Sequence, residues 1–120
     1  MKIMVVDDEV DVVDFLSHFL TRLGFETVKA TCGKEAIERF AEHVPEWVFL
    51  DMKMPDMNGI DVLKRLKEIS PGLKALMITG RDDDSAKESA RELGVLDYII
   101  KPLSLEELRG KVNTLILQKP

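Results

Sequence analysis

Trp47-Val48-Phe49-Leu50-Asp51 sets four apolar residues in a row, without alternation, and then stops on an acid. A strand with one wetted face would alternate with period two, so this run predicts a strand covered on both faces, as in a parallel sheet. Working outward, the same pattern recurs at residues 3–6, 75–78 and 98–100, and a further strand is expected at residues 26–30. Helical spacing fills the intervals. Val13, Leu16, Leu20 and Leu23 form one stripe, and Ala36, Ile37, Phe40 and Val44 another, the two helices ending at Gly24 and Pro45. Ile60, Leu63 and Leu66 repeat every three residues and stop before Ser70-Pro71-Gly72. Residues 84–93 read as a polar, poorly amphipathic helix. Ser104 with Glu107 reads as a capping box opening a last helix, with Leu105, Leu108, Val112 and Leu115 inside. Strand then helix, five times over, with connections suited to right-handed crossovers, is an α/β doubly wound parallel sheet.

The 120 residues suit one domain, with 45% apolar and 32% charged residues, and no linker or repeat divides them. Residues 1–120 are expected to be a single domain. Seventeen Lys plus Arg against 22 Asp plus Glu gives 17 − 22 = −5, which disfavours nucleic acid or an anionic membrane as direct partner and favours a protein or a cation. Cys32 is the only cysteine, so no intrachain disulfide and no cysteine-based zinc site is expected. A reducing, cytoplasmic setting fits. The first apolar run is too short for a signal peptide or a membrane span.

Ligands of such sheets bind beyond the carboxyl ends of the strands. The residues there are Asp7, Asp8, Asp51, Thr79 and Lys101. A single Asp at a strand end is usually a cap or a turn former. Three converging ones are different: like charges ~4 Å apart repel by about 4 kcal/mol at an effective dielectric near 20, so the cluster calls for a cation or a proton. An all-carboxylate set favours Mg2+ over zinc.

In these residues the chain resembles the receiver domain of two-component response regulators, from Lys2 to the last helix. The acidic pair Asp7-Asp8 follows the first strand. Asp51-Met52-Lys53-Met54-Pro55-Asp56-Met57-Asn58-Gly59 fits the family's Asp-x-x-Met-Pro-x-Met-x-Gly stretch at every defined position, and Thr79-Gly80 and Lys101-Pro102 complete the set. The resemblance implies five strands in the flavodoxin-like order 2-1-3-4-5, with helices on both faces, where periodicity gave only a parallel sheet.

It further implies a phosphoacceptor domain. Asp51 would take the phosphoryl group, with Lys101 and Thr79 as its catalytic partners. Mg2+ would be held by Asp8 directly, Asp7 mainly through water, Asp51, and the backbone carbonyl of Lys53. Thr79 and Tyr98 would form the switch, and the Lys101–Pro102 bond would be cis. The implied donor is a sensor histidine kinase or a histidine phosphotransfer protein. A downstream effector and a homodimer are admitted, with output through the face of the fourth helix, fifth strand and fifth helix. Such a domain catalyses only its own phosphorylation and dephosphorylation and is not a conventional enzyme.

Beside this stand other readings of the same residues. A haloacid dehalogenase-type hydrolase wants a second Asp where Lys53 stands, and a flavodoxin-like cofactor carrier wants a phosphate cradle where the acidic pair stands. A pseudo-receiver conflicts with the complete residue set. Lys53 and Arg81 flank the expected phosphoryl site, either to shield it or as solvated charges. Val12, Phe15 and Phe19 lie off the main stripe of the first helix, and either form a partner face or pack beneath the last helix. Tyr98 alone reads as a packed strand residue with a solvated hydroxyl. Pro55 and Gly59 are expected as turn formers, His18 and His43 at the surface, Cys32 as a buried or capping residue, and Trp47 in the core.

Overall fold

The computed structural model describes residues 1–80 and 84–118. Its elements alternate throughout: β1 (Lys2–Val6), α1 (Val10–Arg22), β2 (Glu26–Ala30), α2 (Gly33–His43), β3 (Trp47–Asp51), α3 (Gly59–Ile69), β4 (Lys74–Thr79), α4 (Asp84–Glu92), β5 (Val95–Ile100) and α5 (Leu105–Lys111). The five strands are parallel and lie in the order β2-β1-β3-β4-β5. This is the doubly wound architecture expected.

Alternate residues of each central strand go to opposite faces. Met4, Val6, Val48, Leu50, Ala75 and Met77 meet α2, α3 and α4 through Phe40, Leu63 and Ala90. Ile3, Val5, Trp47, Phe49, Leu76 and Ile78 meet α1 and α5 through Leu16, Leu20 and Leu108. Both faces are apolar, which explains why β1, β3 and β4 read as unbroken runs. β5 departs from that expectation. It is an edge strand in which Ile99 is buried but Leu96 and Ile100 are exposed.

Four stripe assignments also change. Leu23 is exposed because α1 stops at Arg22, and the chain turns away at Gly24, whose φ of 98° is left-handed. Val44 is not on the apolar face of α2; it ends that helix at φ 42°, its amide donating to Phe40 O at 2.7 Å, and is exposed. A β-branched residue there costs roughly 1–2 kcal/mol. Leu105 lies exposed in the first turn of α5. In the last turn the helix widens to π geometry over Val112–Ile116, with the Leu117 amide donating to Val112 O at 2.9 Å. The extra residue per turn rotates Leu115 partly out and puts Ile116 into the core.

Caps follow the sequence more closely. Ser104 accepts from the Glu107 amide, and Cys32 caps α2 through a long, 3.5 Å contact from the Glu35 amide to its sulfur. Trp47 is buried, His18 exposed and His43 partly buried. Phe19 belongs to the core beside α5, Val12 packs at its margin, and Phe15 stays exposed. No helix among the described residues is long and apolar enough to cross a membrane.

Candidate functional site

The carboxyl ends of the strands carry the polar residues, because the apolar runs end where the sheet leaves the core. Parallel pairing sets them side by side. Asp51 lies opposite Ile78, so Thr79 is one step beyond it, and Thr79 O accepts from the Lys101 amide at 2.9 Å. Asp7 continues β1, its amide donating to Ala30 O at 3.2 Å. Asp7, Asp51 and Thr79 are buried, whereas Asp8 faces solvent at the mouth.

One oxygen from each of Asp7, Asp8 and Asp51 lies within 4.8 Å of the others. Lys101 stands among them, its Nζ 3.1 Å from Asp7 Oδ2 and 3.6 Å from Asp51 Oδ2. Neither contact has hydrogen-bonding geometry, so both buried oxygens lack a hydrogen-bond donor. The ammonium donates instead to Glu9 Oε1 at 3.0 Å. Glu9 was not singled out from the sequence, although the unbroken run Asp7-Asp8-Glu9 was a usable signal. Its amide also donates to Asp7 Oδ1 at 2.9 Å.

These surroundings shift the titrations. Burial, then the Asp7 charge, pushes Asp51 up to about 7, against the opposing pull of Lys101 and of the Lys53 amide. Burial also raises Asp7. Lys101 moves upward too: burial works against its charge, but the hydrogen bond to Glu9 and the negative charges of Asp7 and Asp51 outweigh it. Buried beside Asp7 and Asp8, Asp51 has its charge only partly offset by the Lys101 ammonium. Two buried, donorless carboxylate oxygens and an exposed third carboxylate are a fit donor set for a hard divalent cation.

The loop after β3 wraps closely around Asp51. The Lys53 amide donates to Asp51 Oδ1 at 3.3 Å, Lys53 and Asn58 form an antiparallel bridge, and the Gly59 amide donates to Met52 O at 2.8 Å. Gly59 therefore serves close approach rather than a turn conformation: a Cβ there would sit 2.6 Å from Asp51 O and 2.8 Å from Met52 Cα. Asn58 caps α3 by accepting from the Asp61 amide at 2.9 Å. The Lys53 side chain is exposed, and Arg81 lies outside the described residues.

Thr79 donates its hydroxyl to Gly80 O at 3.0 Å. Tyr98 is half-buried, with its ring against the core and its hydroxyl donating to Lys87 O of α4 at 2.6 Å, so that hydroxyl is paired with backbone rather than solvated. The Lys101–Pro102 bond is cis.

A doubly wound sheet with acids, a threonine and a lysine gathered at its strand exits defines a class of phosphate- or cation-handling α/β domains. Residues 3–113 match the family described as response regulator receiver domain, and the chain belongs to that family. Receiver domains are the phosphoacceptor signalling modules of two-component response regulators. Among curated relatives, it is 35% identical over 115 residues to the alkaline phosphatase synthesis transcriptional regulatory protein PhoP of Bacillus subtilis, covering 96% of this chain and 48% of that protein. It is 32% identical over 112 residues to the sporulation initiation phosphotransferase F of the same organism, covering 93% of this chain and 90% of that one. The chain thus spans about half the length of the first of these relatives and nearly all of the second. A solved CheY-like receiver domain protein from Methanospirillum hungatei superposes with a TM-score of 0.87 at 27% identity, covering 93% of this chain and 90% of that chain.

Proposed function

We propose that Asp51 accepts a phosphoryl group from a phosphohistidine on a sensor histidine kinase or histidine phosphotransfer protein, in a reaction that needs Mg2+. The observation carrying this reading is the meeting of Asp7, Asp8 and Asp51 around donorless, buried carboxylate oxygens, with Lys101 alongside. A carboxylate oxygen of Asp51 forms the bond to phosphorus as the bond from phosphorus to the imidazole nitrogen breaks, and the electron pair leaves with the imidazole. The acceptor must be ionised to attack. Asp8, Asp7, Asp51 and the Lys53 carbonyl would hold the cation, which supplies charge neutralisation for the equatorial phosphoryl oxygens. Lys101, already 3.6 Å from Asp51, would pair with the same oxygens. Thr79 would give up its bond to Gly80 O and donate to the phosphoryl group instead. Tyr98, tied to Lys87 O, would pass that change to α4.

A groove of about 550 Å³ beside the site runs between the start of α1 and the β5–α5 loop, lined by Val12, Phe15, Pro102 and Leu103 with Glu9 and Lys101 at its inner end. It supports docking of the phosphodonor there. Exposed Leu96 and Ile100 on the β5 edge support the α4–β5–α5 face as the contact for an effector or for a second copy, without direct nucleic-acid or membrane binding. In this reading the domain is cytoplasmic and catalyses only its own phosphorylation and dephosphorylation.

The test is incubation with acetyl phosphate or phosphoramidate and Mg2+, followed by intact mass. One added phosphoryl group in the wild type, none in Asp51→Ala and none with EDTA is the expected result. A wild type that stays unmodified with small donors and with several kinases would give the pseudo-receiver reading the lead.

A further inference from the structure

The loop that carries Lys53 and Gly59 is tied at a second point, outside the acidic pocket. Asp56, exposed at its tip, reaches across to the start of α2: Oδ1 accepts from the Gly33 amide and Oδ2 from the Lys34 amide, each at 3.0 Å. These are two of the amides that an α-helix leaves without internal partners. Cys32, the residue before α2 and placed to cap it, serves only the Glu35 amide, and weakly, through sulfur at 3.5 Å. The same two segments are packed without slack. A Cβ on Gly33 would lie 2.9 Å from both Cβ and Sδ of Met57, the neighbour of Asp56. The two amide bonds hold the Asp56 carboxyl below the usual carboxylate range, so the tie is in place throughout the neutral range.

The Asp56 tie and the close packing of Gly59 on Asp51 pin the loop over residues 51–59 at two points. Lys53 is bonded to Asp51 through its amide and bridged to Asn58, inside the segment so restrained. We infer that Asp56 is a positioning residue, which by taking the first two amides of α2 holds the loop in the shape that presents the Lys53 carbonyl to a divalent cation at the acidic cluster. This rests on the metal reading above. It adds that the start of α2 is mechanically part of the cation site, although no hydrogen bond or ion pair joins its described residues to Asp7, Asp8 or Asp51.

The test is calorimetric titration of the full chain with MgCl2 for wild type, Asp56→Asn and Asp56→Ala, together with amide exchange at Gly33 and Lys34 with and without Mg2+. Residues that orient a metal ligand typically change affinity by about tenfold or more. Asp56→Ala should weaken Mg2+ binding by about that factor, and Asp56→Asn, which keeps one acceptor oxygen for an α2 amide, by clearly less. Because coupling is reciprocal, Mg2+ should slow exchange of the Gly33 and Lys34 amides in the wild type, a measurement that needs no variant. Wild-type affinity in Asp56→Ala, with only its thermal stability lowered, would make Asp56 a helix cap and nothing more. Equal losses in the Asn and Ala variants would assign the effect to the missing charge and overturn the inference. A wild type that binds no Mg2+ would overturn the metal reading itself, a result distinct from wild-type binding that survives the loss of Asp56.

Discussion

Replacing Asp51 by asparagine in the metal-free protein removes a charge that the fold holds at a cost. Asp51 is buried, its Oδ2 has no hydrogen-bond donor, and its ionisation is pushed from 3.8 to about 7, by burial first and the Asp7 charge second. A rise of roughly three pH units, at about 1.4 kcal/mol each, sets a ceiling of about 4 kcal/mol. Relaxation of Lys101 and entry of water reduce this, so about 2–4 kcal/mol is the expected gain for Asp51→Asn at pH 8. The sign follows from proton binding. The folded-state value is raised, so below pH 4 both folded and unfolded chains carry the proton and the penalty is absent. It grows as pH rises from 4 to 7 and is complete above 7. Asparagine should keep the 3.3 Å bond from the Lys53 amide, Lys101 keeps Asp7 and Glu9 as partners, and the carboxylates of Asp7 and Asp8 lie near enough to accept from the new NH2 group. Urea denaturation in EDTA at pH 8 and at pH 5 measures the difference, as a midpoint shift of roughly 1–2 M at pH 8. Excess Mg2+ should narrow the gap, since it binds the folded wild type and much less the variant. An Asn variant no more stable than wild type at pH 8, or a gain that does not shrink toward pH 5, would refute the claim that the pocket is electrostatically overfilled.

Gly59→Ala should cost about 2–3 kcal/mol in urea denaturation, because its Cβ would meet backbone atoms of Asp51 and Met52 at 2.6 and 2.8 Å rather than a movable side chain. Lys101→Met leaves Asp7 and Asp51 without their cation; intact-mass time courses with acetyl phosphate should show phosphorylation slowed by roughly a hundredfold. Tyr98→Phe deletes the 2.6 Å bond to Lys87 O and should lower stability by about 1 kcal/mol, with faster amide exchange confined to α4 and its neighbours.

What could be read without coordinates followed from burial on two faces. The runs in β1, β3 and β4 are apolar because helices cover both sides of them, so position and type of strand were both visible, as were the polar residues Asp7, Asp51 and Thr79 at their exits. β5 shares the composition but lies at the sheet edge, and a three-residue run does not distinguish the two situations. Strand order came from resemblance, since periodicity says which face a residue takes and nothing about its neighbour. The turns were least legible. Val44 in a left-handed conformation and the π turn that exchanges Leu115 for Ile116 both go against local preference, and the π turn seats Ile116 in the core. In the site, Asp7, Asp8, Asp51, Thr79 and Lys101 were found because each follows an apolar run. Glu9 escaped because it follows two acids already accounted for, and Asp56 because its partners are backbone amides 22 and 23 residues away, which leave no mark on composition.

The acidic pocket is better understood as a balance than as a set of separate residues. Asp7, Asp8, Glu9 and Asp51 bring four negative charges when ionised and Lys101 brings one positive, so the local sum is 1 − 4 = −3. A dication changes that to −1. Without it, a proton is the available relief, and burial with the Asp7 charge raises Asp51 to about 7, so protonation there competes near neutrality. A protonated carboxyl is a poor nucleophile toward phosphorus. Because ligand oxygens must be bare to bind metal, Mg2+ binding as proposed would be coupled to proton release at Asp51. On the proposed reading, the burial that disfavours a charge on Asp51 would also make the acceptor respond to a cation, since in a solvated site Asp51 would be ionised without help.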